Sequence, residues 1–275
     1  MKTILVNNKK YRESTNYMTQ EISEKLRSRG IEVLVDDGSR KILDRDITNI
    51  IVLGGDGTML RAARTYGPGD IPILGINMGK VGFLSNIEIN EVDEYLDRFL
   101  QGDYTIDTMM MLEVNIYEND TIINTSHCLN EVIIKSTIPR MVTLNYRING
   151  QPCVPYKGDG LIFATPAGST AYSLSAGGPI VDPELEAILV TPVAPYTFFA
   201  FGQKPAVIAG SKVIKVSPPY GKDIIISLDG QVIIDFFNHN SIEIKKAQQG
   251  LRLVNLKKVP FFDTINKRLK RITGS

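Results

Sequence analysis

The chain has 275 residues, of which 43% are hydrophobic, and a formal net charge of +1. This length allows one large domain or two of ordinary size, and the hydrophobic content excludes a disordered chain. The near-neutral charge argues against a nucleic-acid partner, and no apolar run is long enough for a signal peptide or a membrane span. The two cysteines and two histidines have none of the spacings that build a metal site. The sequence therefore predicts a cytoplasmic protein without a metal-ligand cluster, a nucleic-acid partner or a membrane partner.

Strands and helices alternate in the first part of the chain. Met18, Ile22 and Leu26 recur at the spacing of one helix face, and Asn90 and Gly102 are suitable residues to begin and end a later helix. Short apolar runs that predict strands lie at 3–6, 31–35, 50–53 and 71–77. This alternation predicts a parallel sheet with crossover helices, whose ligands bind beyond the carboxyl ends of the strands.

The periodicity changes beyond Gly102. Apolar and polar residues alternate at 112–117 and at 142–148, and the second of these runs ends at an Asn149-Gly150 hairpin turn. We therefore expect an α/β plus all-β protein. A Rossmann-like α/β domain with a parallel sheet is expected at 1–105, completed by 255–275. A β-rich, sandwich-like or meander domain is expected at 106–254. A last helix at about 262–271 is expected to return to the first domain.

A glycine-rich turn follows the third predicted strand. It reads Gly54-Gly55-Asp56-Gly57-Thr58, and residues of good helix propensity come directly after it. The N–H groups at a helix start favour an anion, which predicts a phosphate site that contains a carboxylate. Such a carboxylate can accept the proton of a hydroxyl that attacks phosphorus. An ordinary Asp-Gly turn is the alternative interpretation. The spacing fits neither a Walker A loop nor a dinucleotide fingerprint.

Three further stretches interrupt the strand and helix patterns. The loop 78–84 holds two glycines and Phe83, which lies either in a second wall of the phosphate site or in the core. Asn130 and Glu131 place an amide and an acid at the start of a predicted strand. The stretch 165–179 is rich in small, hydroxyl and glycine residues. It is either a plain linker or a segment that allows the backbone to approach a polar ligand closely.

Together these motifs resemble the NAD kinases over nearly the whole chain. The glycine-rich turn at 54–58, the Asn130-Glu131 pair and the block 168–180 match the family in the same order. The turn alone also resembles phosphofructokinases and diacylglycerol or sphingosine lipid kinases. The resemblance implies transfer of the terminal phosphoryl of ATP, or of polyphosphate, to the 2′-hydroxyl of the adenosine ribose of NAD, giving NADP. It also implies Mg²⁺ as a cofactor and a homodimer or homotetramer.

The resemblance also implies roles for individual residues, and Asp56 would be the general base. The residues implied for phosphate or ATP binding are Gly54, Gly55, Gly57, Thr58 and Asp229. The residues implied for NAD binding are Asp56, Gly57, Phe83, Asn130, Glu131, Arg140, Lys157, Asp159, Thr170, Ala171, Tyr172, Ser173, Leu174, Ser175, Ala194 and Gln231.

Some positions depart from the family pattern. Ala167 stands where threonine or serine is usual, and Met109 where arginine is common. The segment 195–205 replaces a family segment that usually reads Pro-His-x-Leu and then Arg-Pro, and it is longer here. Two alternatives remain beside an NAD kinase: a lipid kinase, and a dinucleotide-binding regulator without catalysis. The polar block 165–179 disfavours an apolar acceptor, and the acid at position 56 favours an enzyme.

Overall fold

The computed structural model describes residues 1–7, 13–39, 41, 42, 44, 46–79, 82–85, 87–196, 204–220, 223–257, 263 and 265. The chain divides into two compact units. One comprises 1–108 and 251–275, and the other comprises 109–250.

The elements of the first part of the chain are β1 (Lys2–Val6), α1 (Glu13–Arg27), β2 (Glu32–Asp36), β3 (Asn49–Gly54), α2 (Asp56–Tyr66), β4 (Ile73–Asn77), β5 (Ile87–Glu88), α3 (Val92–Gln101) and β6 (Thr105–Met109). Those that follow are β7 (Leu112–Glu118), β8 (Thr121–Cys128), β9 (Glu131–Ser136), β10 (Val142–Ile148), β11 (Gln151–Pro152), β12 (Tyr156–Ala164), α4 (Tyr172–Ser175), β13 (Ala187–Pro195), β14 (Ala206–Ala209), β15 (Ile214–Ser217), β16 (Ile224–Leu228), β17 (Val232–Asp235), β18 (Asn240–Lys246) and β19 (Leu251–Asn255). Single 3-10 turns lie at Gly67–Gly69, Ile89–Glu91 and Ala167–Thr170.

The first unit is built on one sheet with the strand order β2-β1-β3-β4-β19-β6, and β5 pairs with β4. The pairs β1–β2, β1–β3, β3–β4, β4–β5 and β4–β19 are parallel. Leu5, Ile51 and Leu74 of the sheet share one core with Ile22 of α1 and Leu96 of α3. The predicted parallel α/β fold is therefore confirmed. Its carboxyl edge carries the glycine-rich turn, because β3 ends at Gly54.

The second unit is an antiparallel sheet with the path β17-β16-β9-β12-β10-β15-β18-β7-β8, and β13 and β14 continue from β12. Its strands are hydrogen-bonded into one sheet. Side chains from distant strands, such as Val114 of β7, Ile134 of β9 and Phe163 of β12, lie in one buried cluster, so the sheet curls around its core. The hairpin at Asn149 and Gly150 has both residues at positive φ, 48° and 77°, as the sequence predicted. The all-β half of the fold prediction is confirmed.

Two details of the first unit bear on the helix predictions. Asn90 lies inside the 3-10 turn before α3, so its predicted role as a helix N-cap is wrong. Glu88 and Glu91 instead form a capping box there. Gly102 ends α3 in the left-handed conformation, at φ 78°, as predicted. The predicted helix at 262–271 lies outside the described residues, apart from Asp263 and Ile265. Among the helices that the structure describes, none is both long and apolar enough to cross a membrane.

Candidate active site

In the first unit, Asp56 is the first residue of α2, directly after the turn that leaves β3. Gly55 precedes the helix in an extended conformation, and its carbonyl accepts the N–H groups of Thr58 at 3.0 Å and Met59 at 3.2 Å. The N–H groups of the first helical turn and the helix dipole favour an anion at this point. The side chain of Asp56 therefore stands at a phosphate-binding type of helix start, at the carboxyl end of a buried strand.

The Asp56 carboxylate is held by the loop that follows β4. The N–H of Phe83 donates to both carboxylate oxygens, at 3.0 and 3.1 Å, and the N–H of Leu84 donates to Oδ1 at 3.2 Å. Gly82 allows this approach, because a Cβ on that residue would lie 2.1 Å from Oδ1 of Asp56. The backbone of 82–84 thus wraps the carboxylate. Phe83 belongs to this wall through its N–H.

The glycines of the turn have different steric surroundings. A Cβ on Gly54 would lie 2.5 Å from Oγ1 of Thr58, so that position needs glycine to pack against the helix start. Among the residues that the structure describes, none has an atom within 4 Å of a Cβ on Gly55. The open space beside Gly55 therefore lies where a phosphate would approach the helix N-terminus.

A buried polar cluster fixes α2 to the neighbouring strands. Arg61 donates from Nη1 to both carboxylate oxygens of Asp36 at 2.9 Å, and from Nη2 to the carbonyl of Asn7 at 2.8 Å. The hydroxyl of Tyr66 donates to Asp36 at 2.7 Å. Burial and this hydrogen bond raise the pKa of Tyr66 above its usual range. The sequence patterns do not indicate this cluster, because its members come from three separate parts of the chain.

In the second unit, Asn130 and Glu131 stand at the start of β9, as predicted. The Asp229 carboxylate accepts the N–H groups of Leu129 at 3.2 Å, Asn130 at 2.7 Å and Glu131 at 3.2 Å. Asp229 is 6% exposed, and it lies in the turn between β16 and β17. Its carboxylate therefore faces the backbone of the segment that presents Asn130 and Glu131.

Glu131 is a buried acid with an unusual environment. Burial raises its pKa to about 7 and the charge of Asp229 adds to the rise, while a hydrogen bond from the N–H of Tyr172 opposes it. In the described part of the chain, Oε2 of Glu131 has no hydrogen-bond partner. A buried acceptor without a partner is costly, so a ligand donor at this position would relieve it.

The block 165–179 is a packed element, which excludes the plain-linker alternative. Ser169 exchanges hydrogen bonds with the backbone of Val181, and the hydroxyls of Ser173 and Thr191 lie 2.8 Å apart. A Cβ on Gly168 would lie 2.1 Å from the carbonyl oxygen of Asn130, so the block packs directly on the Asn130-Glu131 segment. Ser173 is buried with its hydroxyl toward Thr191, whereas Tyr172 is 41% exposed. Thr170, Ala171, Leu174 and Ser175 complete the 3-10 turn and α4.

The remaining predicted site residues of this unit lie on two further features. Lys157 and Asp159 are exposed on the same face of β12, and Nζ of Lys157 lies 4.7 Å from the ring centroid of Tyr196. Ala194, near the end of β13, has a positive φ of 45°, which is strained for a non-glycine residue. Gln231 follows Gly230 in the β16–β17 turn, and Arg140 lies in the turn between β9 and β10.

A metal site made by the protein alone is not formed by the residues that the structure describes. Among them there is no group of three or more His, Cys, Asp or Glu side chains that could hold a metal ion. Cys128 is buried and Cys153 half-buried, and neither forms a disulfide.

Comparison with known proteins decides the family. Residues 3–104 match the profile described as the ATP-NAD kinase N-terminal domain, and residues 129–256 match that of the ATP-NAD kinase C-terminal domain. The chain belongs to the NAD kinase family. It is 35% identical over 266 residues to the NAD kinase of Geotalea daltonii, which covers 92% of this chain and 93% of the relative. It is 40% identical over 223 residues to that of Natranaerobius thermophilus, covering 80% and 77%.

Solved structures agree with this family. An NAD kinase from Archaeoglobus fulgidus in complex with ATP superposes with a TM-score of 0.77 at 28% identity, covering 98% of this chain and 99% of that one. Yeast NADH kinase complexed with NADH superposes with a TM-score of 0.86 at 24% identity, covering 98% and 87%, and it shows the shared fold. The enzyme is therefore an NAD kinase. The lipid-kinase and regulator alternatives are set aside.

Proposed function

We propose that this NAD kinase transfers the terminal phosphoryl group of ATP to the 2′-hydroxyl of the adenosine ribose of NAD, with Asp56 as the general base. The observation that carries the proposal is the Asp56 carboxylate, which stands at the start of α2 and is oriented by the N–H groups of Phe83 and Leu84. ATP is proposed as the donor, in preference to polyphosphate, because the Archaeoglobus fulgidus relative is described in complex with ATP.

The base acts on the attacking hydroxyl. Asp56 accepts the proton of the 2′-hydroxyl. At the same time the ribose 2′-oxygen forms the new bond to phosphorus, and the bond from phosphorus to the leaving ADP oxygen breaks. A ribose hydroxyl is a poor nucleophile at neutral pH, and a positioned base contributes roughly 10²–10⁴ in rate. Positioning and charge neutralisation supply the remainder.

The donor phosphates are proposed to lie at the turn before α2. Gly54, Gly55, Gly57 and Thr58 form this turn, and the space beside Gly55 supports the approach of a phosphate. Mg²⁺ is proposed to be held by the donor's phosphate oxygens, since the described residues form no cluster for it. When bound, the ion would neutralise charge on the phosphates.

The dinucleotide is proposed to contact Phe83 and the polar residues of the second unit. Oε2 of Glu131 is buried and has no hydrogen-bond partner among the described residues, which supports a hydrogen bond from a ligand hydroxyl. The exposed ring of Tyr172 and the exposed pair Lys157 and Asp159 are available to a ligand. The further contacts proposed are Asp56, Gly57, Asn130, Arg140, Thr170, Ala171, Leu174, Ser175, Ala194 and Gln231. The buried Ser173 would support this binding site indirectly, through its hydrogen bond to Thr191.

A homodimer or homotetramer is proposed from the family resemblance. Light scattering on the purified protein tests this directly. A monomer at micromolar concentration would contradict it.

Substitution of Asp56 by asparagine tests the base. Asp56→Asn keeps the size of the side chain and one oxygen acceptor for the loop, but it removes the basic group. We expect turnover with Mg²⁺-ATP and NAD to fall by roughly 10²–10⁴ while NAD affinity changes little. NADP is measured with a coupled dehydrogenase, and polyphosphate replaces ATP in a parallel assay.

The matched control is Asp70→Asn, which removes an exposed carboxylate of the same unit, where the left-handed backbone at φ 56° suits asparagine. This control should keep full turnover. Unchanged turnover in Asp56→Asn would remove Asp56 as the base, and faster turnover with polyphosphate than with ATP would overturn the choice of donor.

A further inference from the structure

We propose that Asp229 is a positioning residue of this enzyme, which works with Thr165 to fix the backbone of Leu129–Glu131 and so hold the Asn130 and Glu131 side chains in their binding geometry. The inference rests on the proposed dinucleotide-binding role of Asn130 and Glu131. It gives Asp229 a different task from the phosphate contact that the family resemblance implies.

The first observation is that every backbone polar group of Leu129, Asn130 and Glu131 is tied to one of these two residues. The three N–H groups donate to the Asp229 carboxylate. The carbonyl of Leu129 accepts from Oγ1 of Thr165, and that of Asn130 accepts from the N–H of Thr165 at 2.9 Å. The carbonyl of Glu131 accepts from the N–H of Asp229 at 2.9 Å. The segment therefore has one conformation relative to both residues.

The second observation is the backbone of the turn that carries Asp229. Its φ is 49° and that of Gly230 is 65°, and the N–H of Gln231 closes the turn on the carbonyl of Leu228 at 2.9 Å. Both central residues at positive φ are typical of a tight hairpin turn, and aspartate tolerates the left-handed region better than most side chains. Thr165 is fully buried and Asp229 nearly so. The turn thus places an acid where three N–H groups converge.

The third observation is that the same carboxylate acts on Glu131 through its charge. Burial is the largest cause of the raised pKa of Glu131; among the described groups, the Asp229 carboxylate on the β16–β17 turn adds to the rise and the N–H of Tyr172 on α4 opposes it. The Asp229 charge disfavours a second negative charge nearby. The charge on Glu131, and with it the strength of a bond accepted from a ligand hydroxyl, therefore depends on Asp229.

The test compares two variants that separate the hydrogen bonds to the backbone of Leu129–Glu131, called the tether here, from the charge of Asp229. Asp229→Asn keeps an oxygen for the N–H groups of Asn130 and Glu131, but it faces Leu129 with an amide donor and removes the charge. Thr165→Val removes two hydrogen bonds, the one donated to the carbonyl of Leu129 and the one accepted from the N–H of Gly168, and it removes no charge. NAD affinity is measured by titration calorimetry from pH 5.5 to 8.5, without a phosphoryl donor, beside the KM for ATP.

We expect Asp229→Asn to weaken NAD binding by about tenfold, since the bond from Leu129 is lost and the other two no longer have a charged acceptor, and to leave the KM for ATP unchanged. In the wild type, NAD affinity should rise with pH as Glu131 ionises, and in Asp229→Asn this rise should move to lower pH. Thr165→Val should weaken binding without moving the rise. Asp235→Asn, an exposed acid of the same hairpin, is the control and should behave as the wild type.

Two further measurements make the outcome decisive. Glu131→Gln tests the underlying site: if it binds NAD as the wild type does, the proposed dinucleotide contact fails. If Glu131→Gln is impaired but Asp229→Asn has wild-type affinity and pH dependence, the positioning role of Asp229 is overturned. Should Asp229→Asn not fold, amide hydrogen exchange of the wild type decides instead. Slow exchange at Leu129, Asn130 and Glu131 supports the tether, and fast exchange there contradicts it.

Discussion

Gly82→Ala probes how closely the loop after β4 holds the proposed base. The added Cβ would lie 2.1 Å from Oδ1 of Asp56, whereas real contacts of this kind are essentially never shorter than 3.0 Å. The distance between this Cβ and Oδ1 of Asp56 must therefore increase by about 1 Å, either because the carboxylate turns away or because the loop withdraws. Either movement breaks the bonds from Phe83 and Leu84 that orient the carboxylate. A misplacement of about 1 Å costs roughly 10²-fold in rate, so we expect kcat to fall by about that factor.

The assay is steady-state NADP formation with Mg²⁺-ATP, together with NAD affinity and a thermal melt of each variant. The matched control is Gly69→Ala, because a Cβ there would make an ordinary contact of 3.5 Å with Ile71. The control should keep the wild-type kcat. A folded Gly82→Ala enzyme with wild-type kcat would refute the argument that the loop positions the base.

Two further predictions concern stability. The pKa of Glu131 is about 7 in the folded protein, against 4.5 for an unperturbed glutamate. The raised pKa therefore contributes to the free energy of unfolding in full below pH 4.5, and this contribution of about 3 kcal/mol is lost as the pH rises through 7. Urea unfolding from pH 5 to 8 should show this loss, and Glu131→Gln should remove it; an equal slope in both proteins would contradict the assignment. Ala194→Gly should raise the free energy of unfolding by roughly 1 kcal/mol, because glycine adopts the positive φ without strain. A lower urea midpoint for this variant would show that the methyl group contributes more than the strain costs.

Local patterns were sufficient to predict the class of the fold and some of its elements. Apolar runs predicted β1 to β4 of the first unit, and the alternation of apolar and polar residues predicted β7 and β10 of the second. The strands β5, β6 and β19 of the first sheet were not predicted. The order of strands in the second unit could not be predicted. β9 pairs with β12 and β16, and β16 begins at Ile224, far along the chain from Glu131. Such pairing depends on which faces meet in the core, and the sequence of one strand does not specify its neighbour.

The candidate site was predicted only in part, because local motifs can be seen in the sequence and contacts between distant residues cannot. The turn at 54–58 and the Asn130-Glu131 pair were visible, because glycine, amide and acid residues interrupt local patterns. The sequence did not indicate which residues hold the turn and the Asn130-Glu131 pair in place. Asp229 lies about 100 residues from the N–H groups it accepts, and Gly82 about 26 from Asp56. One local signal existed for Thr165, a hydroxyl directly after a buried strand and before Pro166, which suits a capping role.

The two acids singled out from the sequence show why a motif alone does not assign a role. Asp56 and Asp229 both stand beside glycine in a turn, and both accept backbone N–H groups. Asp229 is 6% exposed and ties together three consecutive residues, so moving a proton to it would disrupt the segment it holds. Asp56 is half-buried at the start of a helix, beside Gly55, whose Cβ position meets no atom of the described residues within 4 Å. A proton acceptor must be reachable by its substrate. The difference in burial therefore supports the proposals that Asp56 serves chemistry and Asp229 positioning.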